Sequence, residues 1–291
     1  MTFFRNLLPK MDRSTEPRVP DGYRVYAIGD VHGRLDLLDE LLARIEADIE
    51  RRGAARNIIV FLGDLIDRGP SSAQVLERVR TYRPAQQTRT VVLSGNHEEV
   101  LLRLLRGESD LVRDWLRFGG AECAKSYGLN PATLKRAEPV RAVAILRDKI
   151  PDEHKAFLHA FGDTFRIGDY VFVHAGLRPG VPLAQQSQAD LRWIRQPFLD
   201  NGDDHGFVVV HGHTISEAVD VRHNRIGIDT GAYRSGVLTA MGLEASDRWF
   251  FQTGPGSEQV KTVGTGDDDQ ARFALADSSN MAAFQEERCS E

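Results

Sequence analysis

Residues 24–49 read RVYAIGDVHGRLDLLDELLARIEADI. Arg24–Ile28 is a run of β-branched and aromatic residues that predicts a short buried strand, and it stops at Gly29-Asp30. Beyond the polar loop, Leu38, Leu41, Leu42, Ile45 and Ile49 recur at the three- and four-residue spacing of a helix with one buried face. The unit is a strand, a glycine-led polar loop and a helix. It recurs at Ile58–Leu62, which ends in Gly63-Asp64 and precedes a helix starting near Pro70-Ser71 with Val75, Leu76 and Val79 on its buried face. It recurs again at Val91–Leu93, which ends in Ser94-Gly95-Asn96-His97 and leads to Val100, Leu101, Leu104 and Leu105. Consecutive units of this kind predict an α/β fold with polar residues in the crevice at the strand ends, where open α/β sheets place their ligands.

Outward from these units, residues 106–162 are mostly helical by pattern. Strands return at Thr164–Ile167, Tyr170–Val173, Phe207–Val210, Arg225–Asp229, Gly236–Met241 and Arg248–Phe251. The expected division is an N-terminal extension over 1–22, a catalytic domain over 23–253 with 106–162 as a helical cap-like region within it, and an acidic tail over 254–291. The tail holds eight acids against three bases, which is the whole of the formal net charge of −5. With so few apolar residues it is expected to be a mobile appendage. The neutral body offers no basic surface for nucleic acid.

The chain has 291 residues, 41% hydrophobic and 27% charged, which excludes a disordered or collagen-like protein. No apolar stretch reaches the roughly 18 residues of a membrane span. Only Cys123 and Cys289 occur, and the first residues lack the apolar run of a signal peptide, so the sequence reads as a reduced, cytoplasmic protein.

Five loops carry the chemistry: Gly29-Asp-Val-His-Gly33, Gly63-Asp-Leu-Ile-Asp-Arg-Gly69, Gly95-Asn-His-Glu98, His174-Ala-Gly176 and His211-Gly-His-Thr214. Each supplies oxygen or imidazole nitrogen at the end of an apolar strand. Such a mixed set suits a hard or borderline divalent metal, and the loops contain no cysteine to build a structural zinc or iron–sulfur site. The ligand-type residues outnumber what one ion takes from a protein. The economical arrangement is two ions about 3.5–4 Å apart that share a carboxylate.

In this order the five motifs closely resemble the signature of the PPP-type, calcineurin-like metallophosphoesterases, the superfamily of the serine/threonine protein phosphatases. Trp115–Gly120 and Trp193–Arg195 resemble bacterial members. The resemblance covers about residues 23–241. It implies a four-layer αββα sandwich of two mixed sheets flanked by helices, with a dinuclear site at the strand ends. It implies Asp30 and His32 as ligands of one metal, Asp64 as the bridge, and Asn96, His174 and His213 as ligands of the other. It further implies in-line attack by a metal-bridging hydroxide, with His97 as general acid, Asp67 as the carboxylate that orients and charges it, and Arg68 and Arg195 as the clamp on the phosphoryl oxygens. Mn²⁺ is the expected ion, with Fe or Zn as alternatives. His211 is read as structural support rather than a ligand.

Asp67 before Arg68, and Glu98 after His97, are similar to the protein phosphatase branch, so the expected substrate is a phosphoprotein or phosphopeptide. The alternative is a symmetrical bis(5'-nucleosyl)-tetraphosphatase or another small-molecule phosphoesterase acting on a nucleotide polyphosphate. A metal-binding scaffold without turnover is disfavoured because His97, Asp67, Arg68 and Arg195 are all present. Trp115, Trp193 and Trp249 are read as packing residues rather than stacking platforms.

Overall fold

The computed structural model describes residues 16–84, 88–254 and 261–263. The opening strand is β1 (Tyr23–Ile28), followed by α1 (Leu35–Arg52), β2 (Arg56–Phe61), α2 (Ser72–Thr81), β3 (Thr88–Val92) and α3 (Asn96–Arg106). A run of short helices fills most of 109–159. After it come β4 (Thr164–Ile167), β5 (Tyr170–Val173), β6 (Val208–His211), β7 (Asp220–Val221), β8 (Arg225–Gly227), β9 (Thr239–Glu244), β10 (Asp247–Gln252) and β11 (Lys261–Val263).

Two mixed sheets form. The first has the order β11-β10-β9-β1-β2-β3, and the second β4-β5-β6-β8-β7. Alternation along the strands explains why they read as continuous apolar runs: both faces are covered. Val25, Ala27, Ile58, Val60 and Leu62 point between the sheets to meet Tyr170, Phe172, Val208 and Val210. Tyr26, Ile28, Ile59 and Phe61 point the other way, onto Leu38, Leu41, Leu42 and Ile45 of α1. Val173 and Val209, on the outer face of the second sheet, pack with Leu191, Ile194 and Phe198. The result is the expected αββα sandwich. Each fully buried Leu or Ile contributes roughly 1.5–3 kcal/mol by leaving water.

Strand direction sets the position of the site. β1, β2 and β3 are mutually parallel, as are β5, β6 and β8. The carboxyl ends of these strands therefore open on one edge of the sandwich, and every motif loop leaves from such an end.

The structure adds to the sequence reading at both ends of the body. Val19 is buried and its N–H donates to the Ala245 carbonyl at 3.0 Å, so part of the N-terminal extension lies against the sheet. Lys261–Val263, within the stretch read as tail, pairs antiparallel with β10. The remainder of the acidic tail, Cys289 included, lies outside the described residues. Among the described residues no helix is long and apolar enough to cross a membrane.

Candidate metal centre and phosphoryl site

Asp64, at the end of β2, is buried at the centre of the loops. Its Oδ2 lies 3.5 Å from His32 Nε2, and its Oδ1 lies 3.5 Å from His174 Nε2. Each carboxylate oxygen thus faces a different imidazole, as a shared ligand requires. The backbone fixes the ring tautomers. His32 Nδ1 sits 2.8 Å from the Ile66 carbonyl and His174 Nδ1 sits 2.9 Å from the Leu62 carbonyl. A carbonyl only accepts, so each Nδ1 carries the proton and each Nε2 turns a lone pair inward.

Two buried groups of potential metal ligands result, His32 with Asp64 and His97, and Asp64 with His174 and His213. Asp64 belongs to both. His174 Nε2 is 3.1 Å from Asn96 Oδ1, an approach of two lone-pair atoms that a cation turns attractive. His213 Nε2 is buried with no hydrogen-bond partner. Burial drives His32 and His213 down to about 3, which keeps both imidazoles neutral and able to ligate.

Asp30 occupies the same edge but stands in neither group. Its carboxylate accepts the His213 backbone N–H at 3.1 Å and pairs with Asp229. Burial, then the charges of Asp229 and Asp64, push Asp30 well above the ordinary carboxylate range. Burial likewise raises Asp229 to about 6. A knot of buried carboxylates against neutral imidazoles is unfavourable by itself and fits a site built around cations.

His97, at the start of α3, faces the cavity from the other side. Its Nδ1 lies 2.7 Å from Asp67 Oδ2, while Nε2 lies between Asp64 Oδ2 at 4.0 Å and Arg68 Nη2 at 3.3 Å. Burial lowers its pKa, but the carboxylates of Asp64 and then Asp67 outweigh it and push His97 up to about 9. Asp67 also accepts from the Trp115 indole N–H at 3.1 Å. Glu98 closes the arrangement by accepting the backbone N–H groups of Asp64 and Leu65, each at 2.8 Å, and of Gly95 at 2.9 Å.

These loops are held in costly backbone conformations. His32, Asp64, Asp67, Arg68 and His213 have φ between 44° and 69°, the left-handed region that side-chain-bearing residues avoid. Each such residue costs about 1–3 kcal/mol, which the surrounding hydrogen bonds must offset. Gly119 serves the same loop. Its carbonyl accepts the Arg68 N–H at 3.0 Å, and a Cβ there would fall 2.6 Å from Arg68 Cγ and 2.7 Å from Arg68 N.

A cavity of about 480 Å³ opens over these groups. His32, Asp64, Asp67, Arg68, Asn96, His97, Arg195 and His213 all reach it, so eight of the ten residues singled out from sequence line one cavity. Asp30 and His174 sit behind it. Val100, Arg103, Leu111, Asp114, Trp115, Phe118, Trp193 and Asp229 complete the lining. Sequence reasoning read Trp115 only as packing and missed Asp229 and Tyr233, the latter with its ring 4.6 Å from the Arg68 guanidinium. Asp229 carried a signal, since it too lies at the end of an apolar strand, with Gly231 two residues on; Trp115 and Tyr233 carried none in their spacing.

Comparison with known proteins agrees with this geometry. The chain is 28% identical over 225 residues to the asymmetrical bis(5'-nucleosyl)-tetraphosphatase PrpE of Halalkalibacterium halodurans, covering 74% of this chain and 87% of that protein. It is 27% identical over 274 residues to the symmetrical bis(5'-nucleosyl)-tetraphosphatase of Dechloromonas aromatica, covering 78% of this chain and 94% of that protein. The fold is shared with a cold-active protein-tyrosine phosphatase of a psychrophilic Shewanella species, at TM-score 0.54 and 16% identity, over 85% of this chain and 83% of the other. Residues 23–254 match the model of the calcineurin-like phosphoesterases. A match that spans both sheets and every motif loop, over a buried His/Asp centre, places this chain in the calcineurin-like phosphoesterase family, the metal-dependent phosphoesterases.

Proposed function

We propose that this chain hydrolyses bis(5'-nucleosyl) tetraphosphates. The observation that carries the reading is the pair of tetraphosphatase relatives, each matched along nearly its whole length. The tetraphosphate is preferred here to the phosphoprotein substrate expected from sequence because these relatives are tetraphosphatases. That expectation rested on the likeness of Asp67 and Glu98 to the protein phosphatase branch; both are buried here, Asp67 on His97 and Trp115, Glu98 on four backbone N–H groups. Both side chains support the loops of the site, a role that selects no particular substrate.

Asp30, His32, Asp64, Asn96, His174 and His213 would hold two divalent cations, and the O/N donor set suits Mn²⁺. Bound there, such ions supply Lewis acidity toward phosphoryl oxygens and lower the pKa of water. The protein's own groups do the rest. Arg68 and Arg195 offer guanidinium donors to the phosphoryl oxygens, and Tyr233 and the Gly119 carbonyl fix Arg68 from two sides. His97 presents Nε2 to the cavity and gives a proton to the oxygen that leaves phosphorus, while Asp67 favours the charged imidazole. In a tetraphosphate bridge that oxygen belongs to a phosphate and is weakly basic, so proton donation is a smaller part of the barrier than for an alkoxide.

Incubation of the Mn²⁺-loaded chain with diadenosine tetraphosphate, followed by anion-exchange separation of the nucleotides, tests the reading. Two equivalents of adenosine diphosphate, or one each of the tri- and monophosphate, support it. Intact substrate under conditions where p-nitrophenyl phosphate is cleaved overturns it.

A further inference from the structure

Two aromatic rings in the cavity lining have no part in the phosphoryl chemistry. Phe118 is 61% exposed and Trp193 is 40% exposed, and both rings wall the cavity that holds Arg68 and Arg195. A single exposed ring is ordinary. Two in one cavity, each built into the framework of the site, call for a ligand.

Trp193 is fixed through its edge. Its indole N–H donates to Glu99 Oε2 at 3.2 Å, and the same oxygen takes Arg192 at 3.3 Å. Glu99 lies on α3, two residues after His97. The bond orients the ring without consuming its faces. Phe118 sits where the helical path breaks: it and Gly119 leave helical geometry, with φ of −95° and 116°. The break that lets the Gly119 carbonyl hold Arg68 therefore also brings Phe118 to the cavity. Flat apolar rings held beside a pair of guanidinium groups match a molecule with a planar base at one end and phosphates at the other.

We propose that Trp193 and Phe118 form the stacking platform for the nucleobase of a nucleotide whose phosphates lie on Arg68 and Arg195. This deepens the tetraphosphatase reading and rests on it. The packing role expected of Trp193 from sequence is replaced by one of specificity.

The test is equilibrium binding of adenosine 5'-diphosphate and of inorganic pyrophosphate to the full Mn²⁺-loaded chain, compared with Trp193→Ala, Trp193→Phe and Phe118→Ala. Loss of one stacking surface should weaken the diphosphate nucleotide on the order of tenfold and pyrophosphate by less than about twofold, with Trp193→Phe restoring most of the loss. Phe118→Ala opens no core, so it gives the same selective loss in a folded protein even if Trp193→Ala is unstable. Equal losses for both ligands, or none, would overturn the platform. Failure of the parent chain to cleave diadenosine tetraphosphate, with the selective loss still present, would remove the tetraphosphate reading and leave the base platform standing.

Discussion

The indole N–H of Trp115 donates to Asp67, 3.1 Å from Oδ2 and 3.3 Å from Oδ1, so a side chain of the helical 106–162 region reaches the carboxylate that charges His97. Trp115→Phe keeps the ring and removes the donor. Hydrogen bonds to buried charges contribute about 1.5–3 kcal/mol, so the variant should lose roughly tenfold or more in kcat while retaining its metals. Steady-state kinetics alongside metal analysis check this; an unchanged kcat would reduce Trp115 to packing.

Asp67→Asn changes the pH profile in a defined direction. The Asp67 charge helps raise His97 toward about 9, and the charged imidazole is present below its pKa and lost as pH rises through it. Removing that charge lowers the pKa. The basic limb of kcat should move to lower pH in Asp67→Asn than in the parent, as a pH series on both proteins would show. A limb at the same pH would detach Asp67 from the proton donor.

His97→Asn separates proton donation from positioning. With a poor leaving group such as phenolate, kcat should fall by about 10²–10⁴-fold. With p-nitrophenolate, which departs with less help, the loss should be much smaller. Rates on phenyl and p-nitrophenyl phosphate, normalised to bound metal, give the comparison. Equal losses on the two esters would leave His97 as a positioning residue.

Much of this was legible in the sequence because the parallel strands are covered on both faces and end in glycine-led loops. Ile58–Leu62 followed by Gly63-Asp64 announces a strand and a candidate ligand at once, and the same holds for Val171-Phe172-Val173 before His174. β7 was not legible, since the two residues Asp220–Val221 are too short for any alternation. Lys261–Val263 was lost inside a polar, acidic composition although backbone pairing with β10 holds it. Trp115 and Tyr233 escaped because their roles depend on tertiary approach to Asp67 and Arg68, which no spacing encodes. Substrate class was not legible in Asp67 and Glu98, whose side chains support the loops and select no particular phosphoester.

Asp64→Asn should be the most damaging carboxylate change. Asp64 faces His32 with one oxygen and His174 with the other, so its loss weakens both halves of the centre. The prediction is loss of most bound metal and of nearly all turnover in a folded chain, read by elemental analysis and circular dichroism. Chelation of the parent should likewise abolish activity, and added Mn²⁺ should restore it. Two ions per chain in Asp64→Asn would contradict the shared role.

The most direct measurement is kcat/KM of the Mn²⁺-reconstituted chain for diadenosine tetraphosphate against a phosphoserine peptide. If Arg68 and Arg195 take the phosphates and Trp193 and Phe118 the bases, as proposed, the chain should prefer the tetraphosphate on the order of a hundredfold or more. A phosphopeptide turned over as efficiently as the tetraphosphate would contradict the account.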